Sequence, residues 1–243
     1  NSFFKDSILS GMRINSLEDA IKIIEDHNPE VVINCIGKTG RPNVDWCENN
    51  KLETTFANVT IPGFIASACK KMEKYMVHIG SGCIYSGNNG GAGFSEDDIP
   101  NFSGSHYSKT KASSERNLIN FDILQVRIRM PIDNISSERN LLDKLLKYDK
   151  ILDAENSITV IPDFLTTLEK LISMRLSGIF NLVNKGAVKN SEILKLYNKI
   201  SGEELKFDII SESDLDKITL AKRSNCILST SKLEILGLEM PDI

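Results

Sequence analysis

Two kinds of apolar run alternate along the chain. Leu17, Ala20, Ile21 and Ile24 recur at helical spacing behind Ser16, and Asp19 three residues on completes a capping box. This predicts a helix from Ser16 to about His27, ended by Asn28-Pro29. Val31 to Gly37 is a continuous apolar run stopped by glycine, which predicts a strand buried on both faces. A polar loop from Lys38 to Trp46 leads into a long helical stretch, about Asn49 to Lys74, with a break at Pro62-Gly63. Tyr75 to Gly80 is the next buried strand and runs directly into Ser81. Residues 86–104, rich in Gly, Asn, Ser and acids, read as a loop. Ser105 caps a further helix to about Phe121, and a strand from Ile123 to Arg129 is stopped by Pro131. Beyond it come a helix near Ser137–Lys147, a strand at Ile158–Ile161, a helix over Asp163–Met174, a strand at Gly178–Val183 and a helix over Ser191–Ile200. Ile8 to Arg13 reads as the tail of a strand with a loop bearing one cation.

Alternating strands and helices without internal repeats predict an α/β fold, a doubly wound parallel sheet of Rossmann type. Residues 1–130 form the expected dinucleotide-binding part. Residues 131–243 form mainly a small α/β substrate lobe, with about 155–185 returning to the main sheet. A fold of this kind normally opens with a strand and a Gly-rich turn that receives a pyrophosphate. None precedes Ile33, and Gly37-Lys38-Thr39-Gly40 fails the P-loop spacing. The expectation is that the first βα unit is absent from this chain.

Composition narrows the partners. With 243 residues the chain can bury a sizeable core, and a net charge of −4 with no Lys/Arg block argues against nucleic acid or an anionic membrane. Five cysteines without a Cys-x-x-Cys pair, and three histidines at no ligand spacing, argue against a disulfide scaffold and a metal site. No apolar run approaches a bilayer's thickness and no signal peptide opens the chain, so a cytoplasmic protein is expected.

The chemistry gathers at a predicted strand end. Tyr107 and Lys111 are one helical turn apart on one face, and Ser81 closes the strand before them. A bare Tyr-x-x-x-Lys is a weak signal, and alone it is most simply an amphipathic tyrosine and a solvated lysine. Strand-end serine, loop and helix together place all three at the C-terminal edge of the sheet, where ligands bind in open α/β folds. Cys83, two residues past Ser81, points the same way if the segment stays extended; core packing is its plain alternative. A thiol beside a Lys-bearing cleft can instead serve as a base. Lys144 reads by default as a surface cation, and Arg127, Arg129 and Arg223 as surface or salt-bridge residues, although an arginine fork also suits a diphosphate. Gly80-Ser81-Gly82 is not a hydrolase elbow.

Several runs together carry a family resemblance: GKTGRPNVDWCE from Gly37 to Glu48, SGCIY from Ser81, PNFSGSHYSKTKA from Pro100 to Ala112, RIRMPI from Arg127 and RSN from Arg223. From about Val31 to Asn225 the chain resembles nucleotide-rhamnose synthases (epimerase/reductases), which are extended short-chain dehydrogenases/reductases related to dTDP-4-dehydrorhamnose reductase. The resemblance implies conversion of a nucleotide-4-keto-6-deoxyglucose, usually the UDP sugar, to nucleotide-L-rhamnose with NADPH. It also implies a preceding nucleotide-glucose 4,6-dehydratase and a homodimer. Ser81, Tyr107 and Lys111 match the reductase triad, with serine where threonine is common, and Cys83 and Lys144 match the epimerisation pair. Lys111 is expected to lower the pKa of Tyr107, and Lys144 that of Cys83. Arg13, Cys35, Gly37, Tyr107, Lys111, Arg129 and Pro131 would hold the cofactor. Arg41, Asn43, Trp46, Ser81, Gly82, Cys83, Asn140 and Arg223 would hold the substrate. A 4-reductase without epimerase activity, or a silent binding subunit of the same fold, are the alternatives.

Overall fold

The computed structural model describes residues 11–243, so the predicted strand tail at Ile8–Ser10 lies outside the described residues. Helix α1 (Leu17–His27) begins as predicted: the Ser16 hydroxyl accepts from Asp19 N at 3.1 Å and the Asp19 carboxylate accepts from Ser16 N at 3.1 Å. Strand β1 (Val31–Asn34) is shorter than the apolar run. It pairs only with the next strand among the described residues, and Ile33, Cys35 and Ile36 are exposed. The expected burial on both faces therefore does not hold at Ile33, and β1 is the edge strand among the described residues.

The long helical stretch starts earlier than its periodicity suggests, as α2 (Asp45–Asn49), α3 (Lys51–Thr55), a π-helical turn (Phe56–Thr60) and α4 (Ile61–Lys71). Pro62 cannot donate to the carbonyl four residues back, and the π turn immediately before it takes up the mismatch, with Ile61 N bonded to Phe56 O. Strand β2 (Tyr75–Ser81) is buried along most of its length. Helix α5 (His106–Leu118) is capped by Ser105, whose hydroxyl accepts from Ser108 N at 3.0 Å. Strand β3 (Leu124–Ile128) follows, then β4 (Pro131–Ile132), α6 (Leu141–Leu145), β5 (Lys150–Leu152), β6 (Glu155–Asn156), β7 (Thr159–Val160) and α7 (Ile161–Ser173). The chain ends with β8 (Gly178–Asn181), β9 (Val188–Lys189), α8 (Asn190–Ser201), β10 (Asp208–Ile210), α9 (Glu212–Ile218) and α10 (Ser231–Ile235).

The main sheet is parallel throughout, in the order β1-β2-β3-β8, and it is wound on both faces. On one face Met76 packs with Ala20, Ile24, Ile65 and Leu118 of α1, α4 and α5. On the other, Val77, Leu124, Val126 and Phe180 pack with Phe164, Leu168 and Leu171 of α7 and Leu233 of α10. Strict alternation along β2 thus feeds two separate cores. Three two-stranded pairs, β4-β7, β5-β10 and β6-β9, lie beside the sheet's C-terminal end.

The loop after Ser81 is tied to the C-terminal segment. Gly87 pairs with Cys226 and Phe94 with Leu228, while Tyr85 and Phe94 stack with ring centroids 4.5 Å apart. Gly93 makes this approach with φ +74°, and a Cβ there would lie 2.8 Å from Ser229 N, so glycine is required at this contact. Among the described residues no helix is long and apolar enough to cross a membrane, and no metal-binding cluster occurs.

Candidate active site

Parallel register sets the site. Ser81 at the end of β2 lies opposite Ile128 at the end of β3, so both strands release their chains at the same level. The segment does not stay extended beyond Ser81, as the sequence expectation for Cys83 required. It turns at Gly82, with Tyr85 N bonded to Gly82 O at 3.3 Å and Cys83 N donating to Ser81 Oγ at 3.1 Å. The turn still leaves the Cys83 thiol near Tyr107, Lys111 and Lys144.

Helix α5 supplies the other half. Lys111 is 7 % exposed and donates from Nζ to Ile79 O at 3.1 Å, which ties the helix to β2. Burial pushes its ammonium down to about 8, against the opposing pull of Cys83 and Glu115. Burial also raises the Tyr107 phenol above its ordinary range, and the neighbouring Cys83 adds to that; a hydrogen bond from Ser81 and the charge of Arg129 act in the other direction. The expected depression of Tyr107 by Lys111 is therefore absent. Desolvation dominates, the lysine is spent on the Ile79 carbonyl, and the cation that acts on the phenol is Arg129. Lys144, half-buried on α6, is lowered by burial and by Arg139, while Cys83 pulls it up.

A cleft of about 310 Å³ opens beyond Tyr107 and Lys111, lined also by Cys35, Gly37, Lys38 and Arg139. It adjoins a second of about 480 Å³ that holds Arg41, Lys144, Lys147 and Tyr148; the two share Thr39 and Arg139. Cys35 and Gly37 thus lie where a cofactor was expected. Arg13 is exposed ahead of α1 and lines neither cleft. Pro131 sits in β4, paired with Thr159, and lines neither cleft.

Other expected ligand residues carry structural duties. The Asn140 amide is used up as the α6 cap: Oδ1 accepts from Leu142 N at 3.2 Å and Nδ2 donates to Asp133 O at 2.9 Å and Ile135 O at 3.3 Å. Arg223 pairs with Asp45 at 2.9 Å, holding that carboxyl below its usual range although burial opposes the shift. Asn43 shapes the turn into α2 through Asp45 N, and Trp46 lies 5.2 Å beneath the Lys38 ammonium. Arg41 reaches Glu138 at 3.5 Å on the surface. Arg129, also expected at the cofactor, donates from Nη1 to Cys83 Sγ at 2.9 Å.

Periodicity alone missed several residues. Asn58, buried in the π turn, accepts from Lys38 N at 2.6 Å and donates to Lys38 O and Thr110 Oγ1, each at 3.0 Å, clamping the cleft-lining loop to α5. A proline close behind an asparagine in a helical run is its one sequence signal, since π turns cluster at functional sites. Arg139 spans both clefts and donates to Thr39 Oγ1 at 2.5 Å. His78 lies buried beneath the site, with Nδ1 2.9 Å from Asn34 Nδ2, and burial lowers it to about 3.

Comparison with known proteins agrees with this fold. The family model for the RmlD substrate binding domain matches residues 9–188. A bifunctional dTDP-4-dehydrorhamnose 3,5-epimerase/dTDP-4-dehydrorhamnose reductase of Arabidopsis thaliana is 35% identical over 238 residues, covering 95% of this chain and 78% of the relative. A trifunctional Arabidopsis enzyme, UDP-glucose 4,6-dehydratase/UDP-4-keto-6-deoxy-D-glucose 3,5-epimerase/UDP-4-keto-L-rhamnose-reductase, is 37% identical over 228 residues; the chain spans only 34% of its length. The crystal structure of the L780 UDP-rhamnose synthase from Acanthamoeba polyphaga mimivirus superposes with a TM-score of 0.91 at 32% identity, covering 97% of this chain and 86% of that one. A dTDP-4-dehydrorhamnose reductase from Bacillus anthracis, in complex with NADP, shares the fold with a TM-score of 0.81 at 18% identity, covering 95% of this chain and 82% of that one. Strand-end serine, Tyr-x-x-x-Lys helix, doubly wound parallel sheet and these similarities converge: the chain belongs to the RmlD substrate binding domain family, a family of α/β enzymes.

Proposed function

We propose that the chain is a bifunctional 3,5-epimerase/4-reductase that converts a nucleotide-4-keto-6-deoxyglucose, the UDP sugar first, to nucleotide-L-rhamnose with NADPH. One observation carries the reading. The Cys83 thiol lies within electrostatic reach of Tyr107 and Lys111 on α5 and of Lys144 on α6, so both sets gather around one sulfur. A plain ketone reductase has no use for the second set. The names of the Arabidopsis relatives combine both activities and support it.

The donor set suits the cofactor. A cleft of about 310 Å³ at the ends of β1 and β2, bounded by Tyr107, Lys111, Lys38 and Arg139, offers a phenol and an ammonium for a ribose and two further cations for phosphate oxygens. When bound, NADPH supplies a hydride for the sugar carbonyl carbon. Lys111 holds the ribose, Tyr107 gives its proton to the oxygen at C4, and the Ser81 hydroxyl donates to the same oxygen as charge builds on it. Before reduction, the 4-keto group acidifies the protons at C3 and C5. Cys83 takes such a proton: the C–H bond breaks, an S–H bond forms and the electron pair moves into the enolate. Lys144 returns a proton to carbon, which completes inversion. In this reading residues 1–130 carry the cofactor and most of the groups around the sugar, and residues 131–243 add Lys144 to the substrate side. The 4-keto substrate comes from a 4,6-dehydratase, and the enzyme works as a homodimer in the cytoplasm.

Two variants separate the half-reactions. Tyr107→Phe should abolish NADPH oxidation while solvent deuterium still enters C3 and C5. Cys83→Ala should stop that exchange on unepimerised sugar. Normal exchange in Cys83→Ala would reduce the assignment to a 4-reductase.

A further inference from the structure

Two arginines leave β3 two residues apart, and the protein treats their charges differently. Arg127, 1 % exposed, is neutralised: Nε and Nη2 grip both oxygens of Glu115 at 2.7 and 2.8 Å. Arg129 is 4 % exposed and has no carboxylate within ion-pair distance among the described residues. Its protein acceptors are the Asn156 amide oxygen at 2.5 Å, the Ser224 carbonyl and the Cys83 sulfur at 2.9 Å, and its Nε is buried without a partner. A buried guanidinium with only neutral partners is expensive, and proteins normally pair it. The acidic groups that approach it are thiols, Cys83 and the buried Cys226, whose Sγ already donates to Gly82 O at 3.2 Å. Of the two, Cys226 is buried and Cys83 only partly so.

We infer that Arg129 is a positioning residue for Cys83, a fixed cationic donor that aims the sulfur and is in place to pair with the charge left when the thiol gives up its proton. The inference rests on the epimerase reading for its purpose, but not for its geometry. The groups facing the sulfur are Arg129 from the end of β3, Tyr107 and Lys111 from α5, Lys144 from α6, and Cys226 from the segment before α10. Among the cations, Lys111 is spent on the Ile79 carbonyl and Lys144 is only half-buried. Arg129 alone has a hydrogen bond to the sulfur, and its Asn156 and Ser224 bonds hold the fork in place. The sequence expectation named Lys144 as the partner of Cys83, and the two groups do act on each other.

The test is the pH profile of Cys83 alkylation by iodoacetamide, followed by peptide mass spectrometry so that the exposed Cys35 does not interfere. Arg129→Gln should move the profile to higher pH and slow Cys83 alkylation at neutral pH on the order of tenfold, the size of one charge-assisted hydrogen bond. Arg129→Lys should recover part of the rate. A Gln variant whose profile coincides with that of the unmutated protein overturns the inference. If Arg129→Gln does not fold, Asn156→Ala, which frees one arm of the Arg129 fork, takes its place: slower Cys83 alkylation supports the positioning role and an unchanged profile refutes it. Failure of the epimerase reading looks different, since deuterium exchange surviving in Cys83→Ala leaves the alkylation result standing.

Discussion

Glu115→Gln perturbs the helix that carries the site without touching the cleft. Glu115 lies one turn beyond Lys111 on α5, with a side chain 13% exposed, and neutralises the 1%-exposed Arg127 through two charge-assisted bonds. Glutamine keeps the shape, retains one acceptor and loses the charge. Arg127 keeps weaker contacts to Ser95 O at 3.1 Å, Glu96 O at 3.2 Å and Asn181 Oδ1 at 3.3 Å. Breaking a buried pair from one side costs about 3–5 kcal/mol, and the remaining acceptors place this case near the lower end, about 3 kcal/mol. For a chain of this size that corresponds to a fall in Tm of roughly 6–12 °C. Thermal and urea unfolding should both show the loss, and Glu115→Leu combined with Arg127→Met should recover most of it. The same substitution removes a negative charge that raises Lys111, so the lysine should titrate below its present value of about 8. A Glu115→Gln protein that loses less than about 1 kcal/mol would show that the pair behaves as an exposed one and would refute the reasoning.

Three further outcomes follow from the buried groups. Lys111 is held at about 8, below its unfolded value of about 10.4, so the unfolded chain binds more protons between these values; stability should rise with pH across that window by on the order of 3 kcal/mol, and Lys111→Met should flatten the slope in urea titrations. His78 is held at about 3, below its unfolded value of about 6.5, so its contribution is complete above about 6.5 and is lost as pH falls toward 3. Acid unfolding monitored by circular dichroism should be less steep in His78→Gln; an identical acid limb would contradict this. Asn58→Ala strands both backbone groups of Lys38 and should cost about 2 kcal/mol while raising the KM for NADPH, because the freed loop lines the cleft.

Where local chemistry decides structure, the sequence reports it faithfully. The Ser16 and Ser105 caps mark the first residues of α1 and α5 correctly, and the α5 cap fixes the phase that brings Tyr107 and Lys111 onto one face. Ser81 was legible because a buried strand runs straight into it. Neighbours across the chain were not legible. The Val31–Gly37 run cannot say that Ile33 is exposed, because an apolar run reads the same at an edge as in the middle of a sheet. Arg129 meets Cys83 across 46 residues, a contact set by β2–β3 register and the turn at Gly82. Cys83 is placed by a different geometry from the one the pattern suggests: the backbone bends back on the Ser81 hydroxyl instead of continuing the strand. Asn140 looked like a ligand residue, yet it precedes a short apolar helix, and that position asks for a cap.

The most direct measurement incubates the full chain with UDP-4-keto-6-deoxyglucose and NADPH in D₂O and identifies the sugar product. The expected result is UDP-L-rhamnose with deuterium at C3 and C5 and one equivalent of NADPH consumed. NADPH consumption giving an unepimerised 6-deoxyhexose, with no deuterium at C3 or C5, would contradict the two-function site built on Cys83 and Tyr107.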